Sequence, residues 1–200
     1  PDLGGTHPDK VNGVIWTNWE EYYGVANVDD DGNGKIDDIR GWDFVNIPAS
    51  QGWADEDVTT ADNDPMDYES HGTMCAGCVT SIHNNGIGIA GTAPGVKVMA
   101  IRVGWLPAGE TGGVVRMDFA SQGILYAVNN GAKIINTSWG SSSYLSLSVS
   151  TAQNAGVLIV TAAGNDNDSE ASYLGSRSGV IAVAATDLND IKASFSSYGS

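Results

Sequence analysis

The feature that most constrains the fold is a regular alternation of strand and helix patterns that begins near Ser70. The strand patterns are short and nearly all apolar, as in VKVMAIRV, AKIINTSWG, VLIVTAAGN and GVIAVAAT. The segments between them, VVRMDFASQGILYAVNNG and YLSLSVSTAQNAG, have apolar residues at helical spacing and end on Gly, a common helix stop. Apolar strands that alternate with helices are typical of a parallel sheet with both faces covered. The sequence therefore predicts an α/β fold with a mainly parallel sheet.

Composition limits the partners of this 200-residue chain, which shows no internal repeat or flexible linker and is expected to form one domain. Its 9 basic and 24 acidic residues give a formal net charge of −15, which repels phosphates and argues against a nucleic-acid partner. The same charge suits hard cations such as calcium. No apolar run reaches membrane-spanning length, so we expect no membrane span.

Small polar residues follow two of the predicted strands, in INTSWG and VTAAGN. In parallel α/β sheets, ligands bind at the carboxyl ends of the strands. Asn165 lies at such an end, where a side-chain amide can donate a hydrogen bond to a developing oxyanion. An Asn in a turn after Gly is also common, so Asn165 alone leaves both interpretations open.

His71 stands at the start of a predicted helix, HGTMCAGCVTSI. Ser70 is expected to cap this helix by accepting from backbone N–H groups of the first turn. The positive end of the helix dipole disfavours an imidazolium there, and a neutral imidazole can accept a proton from a hydroxyl. A surface His at a helix start explains the same residues equally well.

The same helix has apolar residues at the spacing of one buried face: Met74, Cys75, Cys78, Val79 and Ile82. The two cysteines could indicate redox or zinc chemistry, but a zinc site needs four ligands. We therefore expect them in the core, with Cys75 packed under the imidazole of His71 because residues four apart share a helical face.

The stretch DDDGNGKIDD is the strongest metal signal. Side-chain oxygens occupy the first, third, fifth and ninth positions of an EF-hand-like loop: Asp29, Asp31, Asn33 and Asp37. The twelfth position is Arg40 rather than Glu, which excludes a true EF-hand. Closely spaced carboxylates repel one another without a cation, which favours calcium over the alternative of an acidic turn without metal.

Several of these stretches, in this order, resemble the subtilisin-like serine protease family: HGTMCAG, NNGIGIAGTAPGVKVMAIRV, INTSWG, VTAAGN, VIAVAATD and ASFSSYG. The resemblance covers essentially the whole chain. It implies a three-layer α/β/α fold and a secreted or extracellular endopeptidase with an Asp–His–Ser triad. His71 corresponds to the general base of that triad, and Asn165 to the side-chain donor of the oxyanion hole.

The resemblance also implies binding residues. Ser138, Trp139 and Gly140 correspond to the segment that pairs with a polypeptide substrate in extended conformation, and the opposite wall of the first specificity pocket corresponds to Ala162, Ala163 and Gly164. A second calcium site is implied at the side chains of Asp2 and Asn85 and the carbonyls of His83, Ile87 and Ile89. Relatives are made with an inhibitory propeptide, a further expected partner.

Two family motifs do not occur in these 200 residues. The Asp of the triad precedes the segment that corresponds to residues 1–3, and the nucleophilic Ser lies in a Gly-Thr-Ser motif after FSSYG. We therefore expect the central part of a catalytic domain, incomplete at both ends and inactive alone. A non-catalytic pseudo-peptidase and a calcium-dependent binding module are the alternatives.

Overall fold

The structure is a computed structural model that describes residue 3 and residues 13–199. The chain forms two compact units, the first ending at Val114 and the second beginning at Val115. Each unit is described by itself below. Across the described residues, no helix combines the length and the apolar character that crossing a membrane requires.

The first unit contains short strands, one short and one longer helix, and long irregular connections. Its elements in chain order are α1 (Trp19–Tyr23), β1 (Gly41–Asp43), α2 (His71–Thr80), β2 (Ala100–Arg102) and β3 (Gly104–Trp105), and β4 (Val114–Val115) lies at the boundary between the units. β1 pairs in parallel with β2, and β3 pairs with β4. Gly41 begins β1 with φ +133°, and a Cβ there would lie 1.7 Å from the carbonyl oxygen of Ala100, so only glycine permits this pairing.

The pairing of β1 with β2 places Asp43 opposite Arg102. The Arg102 guanidinium bridges Asp43, at 2.5 Å, and Glu56, at 2.6 Å. These side chains lie beside the apolar core of the unit, which is formed by Val14, Trp42, Phe44, Val45, Ile47 and Val58. One cation therefore joins two buried carboxylates from different segments.

Helix α2 differs from the prediction in its start and in its apolar face. Ser70 has a left-handed backbone (φ 76°) and makes no capping bond through its side chain. The predicted buried face is largely in solvent: Met74 is 61% exposed, and Cys78 and Val79 are exposed. Helical spacing determines which residues share a face but not whether another element covers that face.

The second unit contains a three-stranded parallel sheet with two helices. Its elements are α3 (Met117–Asn129), β5 (Ile134–Thr137), α4 (Ser146–Asn154), β6 (Leu158–Ala162) and β7 (Val180–Val183), with sheet order β5-β6-β7. All four predicted elements from AKIINTSWG to GVIAVAAT are thus found at their places. Val114 and Val115, which we predicted in the following helix, form β4 instead, because α3 begins only at Met117.

Only one face of this sheet is covered in the second unit. Helix α4 packs against β6, and α3 packs against α4. Alternate strand residues such as Ile159 and Thr161 are buried, whereas Ile134, Leu158, Ile181 and Val183 of the opposite face are exposed. The prediction of strands buried on both faces therefore holds here for one face only. The connection from β6 to β7 contains no α-helix that could cover the other face.

Candidate active site

A depression of about 330 Å³ lies at the carboxyl ends of β5, β6 and β7. It is lined by four residues that the sequence assigned to the substrate or oxyanion site: Ser138, Ala162, Gly164 and Asn165. Asn136 also lines it and donates to the Ser138 hydroxyl at 2.8 Å. The register pairs Thr137 with Thr161, which brings the residues that follow β5 beside the end of β6. The sheet thus assembles groups that are distant in sequence.

The remaining predicted substrate residues flank this depression. Trp139 is half-buried, and Gly140 is exposed with open space where a Cβ would stand. Ala163 is buried: its N–H donates to Val183 at 3.0 Å, and its carbonyl accepts from the Ser172 N–H at 3.1 Å. Both main-chain polar groups of Ala163 are therefore hydrogen-bonded, one to β7 and one to the loop between β6 and β7.

A buried leucine anchors the loop between β6 and β7. Leu174 is fully buried, and its N–H donates to the Ser141 hydroxyl at 2.9 Å. The hydroxyl of Ser172 donates to the carbonyl of Ala162 at 3.2 Å. This loop therefore joins the residues that follow β5 to the wall formed by the end of β6.

His71 is the first residue of α2 and is exposed. Two carboxylates bind the start of this helix. Glu69 accepts from the His71 N–H at 2.9 Å, and Asp67 accepts from the N–H of Ser70 at 2.8 Å and from the N–H and hydroxyl of Thr73 at 2.7 Å. Sequence reasoning placed this function on Ser70 and missed both carboxylates. The available signal was the acidic residues directly before the helix, because a carboxylate is stabilised near the positive, N-terminal end of a helix dipole.

The thiol of Cys75 lies 4.0 Å from both ring nitrogens of His71. This contact confirms the prediction that Cys75 packs under the imidazole, as the four-residue spacing on one helix requires. Cys78, in contrast, is exposed rather than part of a core.

Three carboxylates converge at the Asp-rich loop. Oxygens of Glu21, Asp29 and Asp31 all lie within 4.8 Å of one another. Glu21 is only 3% exposed and accepts from the N–H groups of Asp30 (2.7 Å), Asp31 (3.0 Å) and Asp37 (2.8 Å). A set of converging carboxylate oxygens fits a hard cation such as calcium. The loop spacing had not indicated Glu21, which comes from α1.

The other two predicted ligands of this loop have protein partners. The Asn33 amide donates to Asp31 at 2.8 Å and to the fully buried Asp38 at 3.0 Å. The Asp37 carboxylate lies outside the group of three and accepts from the Asn27 N–H at 2.8 Å. The third carboxylate of the cluster is therefore Glu21, whereas the sequence had suggested Asp37.

The second predicted calcium loop connects α2 to β2. The Asn85 side-chain oxygen accepts from the Ile87 N–H at 3.0 Å. The Gly91 N–H donates to the main-chain carbonyl of Ser81 at 3.0 Å, and this bond closes the loop. His83 Nε2 lies 2.6 Å from the carbonyl oxygen of Gly91. Ile89 lies in the same loop, whereas Asp2 is outside the described residues.

The chain matches the family model described as "Subtilase family" over residues 22–200. It belongs to the subtilase family. Among curated relatives, this subtilase chain is 39% identical to thermitase from Thermoactinomyces vulgaris over 180 residues, which are 88% of the chain and 57% of the relative. It is 44% identical to a thermostable alkaline protease from Halalkalibacterium halodurans over 136 residues, which are 66% of the chain and 36% of the relative.

Solved protease structures agree with the fold. A protease from Pseudoalteromonas arctica has a TM-score of 0.64 and 32% identity, with 80% of this chain and 53% of that chain covered. The nisin leader peptidase of Lactococcus lactis has a TM-score of 0.59 at 24% identity, with 72% and 48% covered, and supports the fold alone. The α/β fold with mainly parallel strands is thereby confirmed. The subtilase chain spans between 36% and 57% of the length of these relatives and structures.

Proposed function

We propose that this subtilase chain is the central part of a secreted serine endopeptidase that hydrolyses peptide bonds. The observation that carries the proposal is the depression at the carboxyl ends of β5, β6 and β7, lined by Ser138, Ala162, Gly164 and Asn165. Open α/β sheets bind ligands at this edge. The alkaline protease among the relatives supports the same chemistry.

The catalytic roles follow from the chemistry of two side chains. His71 takes the proton of the attacking hydroxyl and later returns it to the leaving amine. Asn165 donates its side-chain N–H to the oxyanion of the tetrahedral intermediate. The carboxylate that orients His71 and the nucleophilic Ser belong to segments outside these 200 residues, so the chain alone does not hydrolyse peptides.

The polypeptide substrate binds in extended conformation. The backbone from Ser138 to Gly140 pairs with it, because main-chain hydrogen bonds hold an added strand without regard to sequence. The opposite wall of the first specificity pocket is Ala162–Gly164, and Trp139 shapes the adjoining pockets. An inhibitory propeptide is the second polypeptide partner of the cleft.

Calcium stabilises the first unit at two loops. At the first loop, Glu21, Asp29 and Asp31 supply converging carboxylate oxygens, with Asn33 and Asp37 in the same turn. At the second loop the ligands are the Asn85 side chain with the carbonyls of His83, Ile87 and Ile89, and Asp2. The ion neutralises carboxylates that otherwise repel one another.

The test is labelling of the complete native protein, flanking segments included, with a fluorophosphonate probe, together with peptide hydrolysis. We expect labelling and hydrolysis in the wild type and a loss of both in His71→Ala. The control is Glu110→Ala, a change at an exposed loop residue that does not line the depression, which should keep both labelling and hydrolysis. A folded complete protein that neither reacts with the probe nor cleaves peptides would support the pseudo-peptidase instead.

A further inference from the structure

The loop that carries Asn165 is bound by a second segment of the same unit, residues 192–198. On one side of Asn165, the Gly164 carbonyl accepts from the Ser197 N–H at 2.9 Å. On the other side, the Asp166 N–H donates to the Ser197 hydroxyl oxygen at 3.3 Å. A single serine thus holds the backbone immediately before and after Asn165.

The hydroxyl of Ser197 is inserted into this loop. Its oxygen also accepts from the Asp168 N–H at 3.3 Å, and the residue is only 2% exposed. Gly164 has φ +115°, and a Cβ at that position would lie 3.1 Å from the Ser197 hydroxyl oxygen. Glycine therefore serves two needs here, a left-handed backbone and room for the serine.

Three further bonds tie the same two segments together. The Asn167 N–H donates to the main-chain carbonyl of Phe195 at 2.8 Å, and the Tyr198 N–H donates to the main-chain carbonyl of Asp168 at 2.8 Å. From the surface, the Lys192 ammonium donates to the Asn167 side-chain oxygen at 2.8 Å. The loop is therefore held along its whole length, with Ser197 at its centre and Lys192 at its rim.

We propose that Ser197 is a positioning residue that holds the Asn165 amide in the orientation needed to bind the oxyanion. The inference rests on the proposed function, because it needs Asn165 as the donor. Ser197 itself does not touch the substrate; it acts through the backbone of the loop from Gly164 to Asp168.

The physical reason is preorganisation. A donor stabilises a developing charge best when its position is already set, because no reorganisation then accompanies the reaction. Removal of the Ser197 hydroxyl removes the acceptor of two backbone N–H groups, those of Asp166 and Asp168, and the loop becomes more mobile. Loosely supported donors lose transition-state stabilisation more than substrate binding, so the expected loss lies in kcat rather than in KM.

The experiment is a double-mutant cycle in the complete, active protein. Asn165→Ala should lower kcat about 100- to 1,000-fold, the usual effect of losing one oxyanion donor. Ser197→Ala should lower kcat about tenfold with KM changed less than about twofold, and in the Asn165→Ala background it should have almost no effect on kcat.

Ser148→Ala is the matched control. Ser148 is a fully buried serine of α4 in the same unit, and its hydroxyl donates to the main-chain carbonyl of Leu145. This substitution should leave kcat unchanged. If Ser197→Ala does not fold, Lys192→Met gives the second measurement, with a decrease in kcat of about threefold that again disappears in the Asn165→Ala background.

The outcomes separate the inference from the function on which it rests. Equal losses from Ser197→Ala, or from Lys192→Met, with and without Asn165 would overturn the positioning role alone. An unchanged kcat in Asn165→Ala would overturn the oxyanion role of Asn165 and the inference with it. Non-additive losses that fall on kcat support both.

Discussion

At Asp43, burial and a neighbouring cation act in opposite directions on one carboxyl group. Desolvation by burial raises the pKa of Asp43 to about 7, although the Val45 N–H and the Arg102 guanidinium both lower it. The Asp62 carboxylate adds to the increase. Arg102 also pairs with Glu56, so one guanidinium serves two buried carboxylates. The effect of burial prevails because one cation does not compensate for two desolvated anions.

Asp43 should make the stability of the protein depend on pH. Between the ordinary Asp pKa of about 4 and the raised pKa of about 7, the folded state keeps a proton that the unfolded state has released. The free energy of unfolding therefore decreases as the pH rises through this window. Asn at this position cannot ionise. We expect the stability of Asp43→Asn, relative to the wild type, to improve from about pH 4 to about pH 7 and to level off above pH 7.

Thermal unfolding of both proteins across this pH range measures the effect. Asp187→Asn is the matched control, because the N–H groups of Asn189 and Ile191 lower the pKa of Asp187 and the side chain is fully exposed. A constant stability difference between Asp43→Asn and the wild type at every pH would contradict the raised pKa.

Single residues were predictable where their type is tied to a chemical role. His71 and Asn165 could be proposed because a helix-start imidazole and a strand-end amide stand in recognisable motifs, and their catalytic roles stay predictions. Ser197 and Glu21 could not be proposed in this way, because each acts through backbone N–H groups that folding alone brings within its reach. The spacing of residues in a chain contains no information about such contacts.

The start of α2 is an element whose stability depends on one carboxylate. Asp67 accepts three hydrogen bonds from the first turn and the residue before it. Asp67→Ala should therefore cost about 1–2 kcal/mol of stability, as loss of a helix cap does. In a protein of this size that corresponds to a decrease in Tm of roughly 2–8 °C.

Glu110→Ala provides the comparison, since Glu110 is an exposed acidic residue of a loop outside the helices. It should change Tm very little. If both variants melt alike, the capping role of Asp67 is wrong.

The Asp-rich loop is the element where metal should affect stability. At a concentration of roughly 100 times its Kd, calcium would add about 2.7 kcal/mol to the free energy of unfolding. We expect added calcium to raise the Tm of the complete protein and chelation to lower it. Glu21→Gln should remove most of this gain, because Glu21 is one of the three converging carboxylates.

Glu20→Gln makes the same change of charge at the neighbouring exposed position of α1 and should keep the calcium response. Magnesium or sodium at equal ionic strength should not replace calcium. An equal response to all three ions would indicate general screening of the −15 charge rather than specific sites.

At the scale of elements, the apolar pattern was a good guide to strands. Four runs of apolar residues became β2, β5, β6 and β7, because a parallel strand must bury apolar side chains and shows this in sequence. The same pattern failed for the face of α2 and for Val114 and Val115. Exposure depends on what packs against an element, and a valine pair suits a short strand as well as a helix.

At the scale of the whole molecule, catalysis should require more than this chain. The 200 residues contain no Gly-Thr-Ser motif for a nucleophile. We expect the isolated chain to remain unlabelled by a fluorophosphonate under conditions in which the complete protein reacts. Labelling of the isolated chain would reveal a reactive serine within it and would contradict the proposed division of the triad.

The sequence by itself determined the class of fold and the order of most of its strands and helices, and it suggested candidate residues whose chemistry suits proteolysis. These follow from local periodicity and from side-chain type, which a chain displays before it folds. Only the tertiary structure decided that Ser138 and Asn165 share one depression, that Glu21 joins Asp29 and Asp31, and that Ser197 enters the loop beside Asn165. These contacts join residues far apart in the chain, and they arise from strand register and packing, which no local pattern specifies.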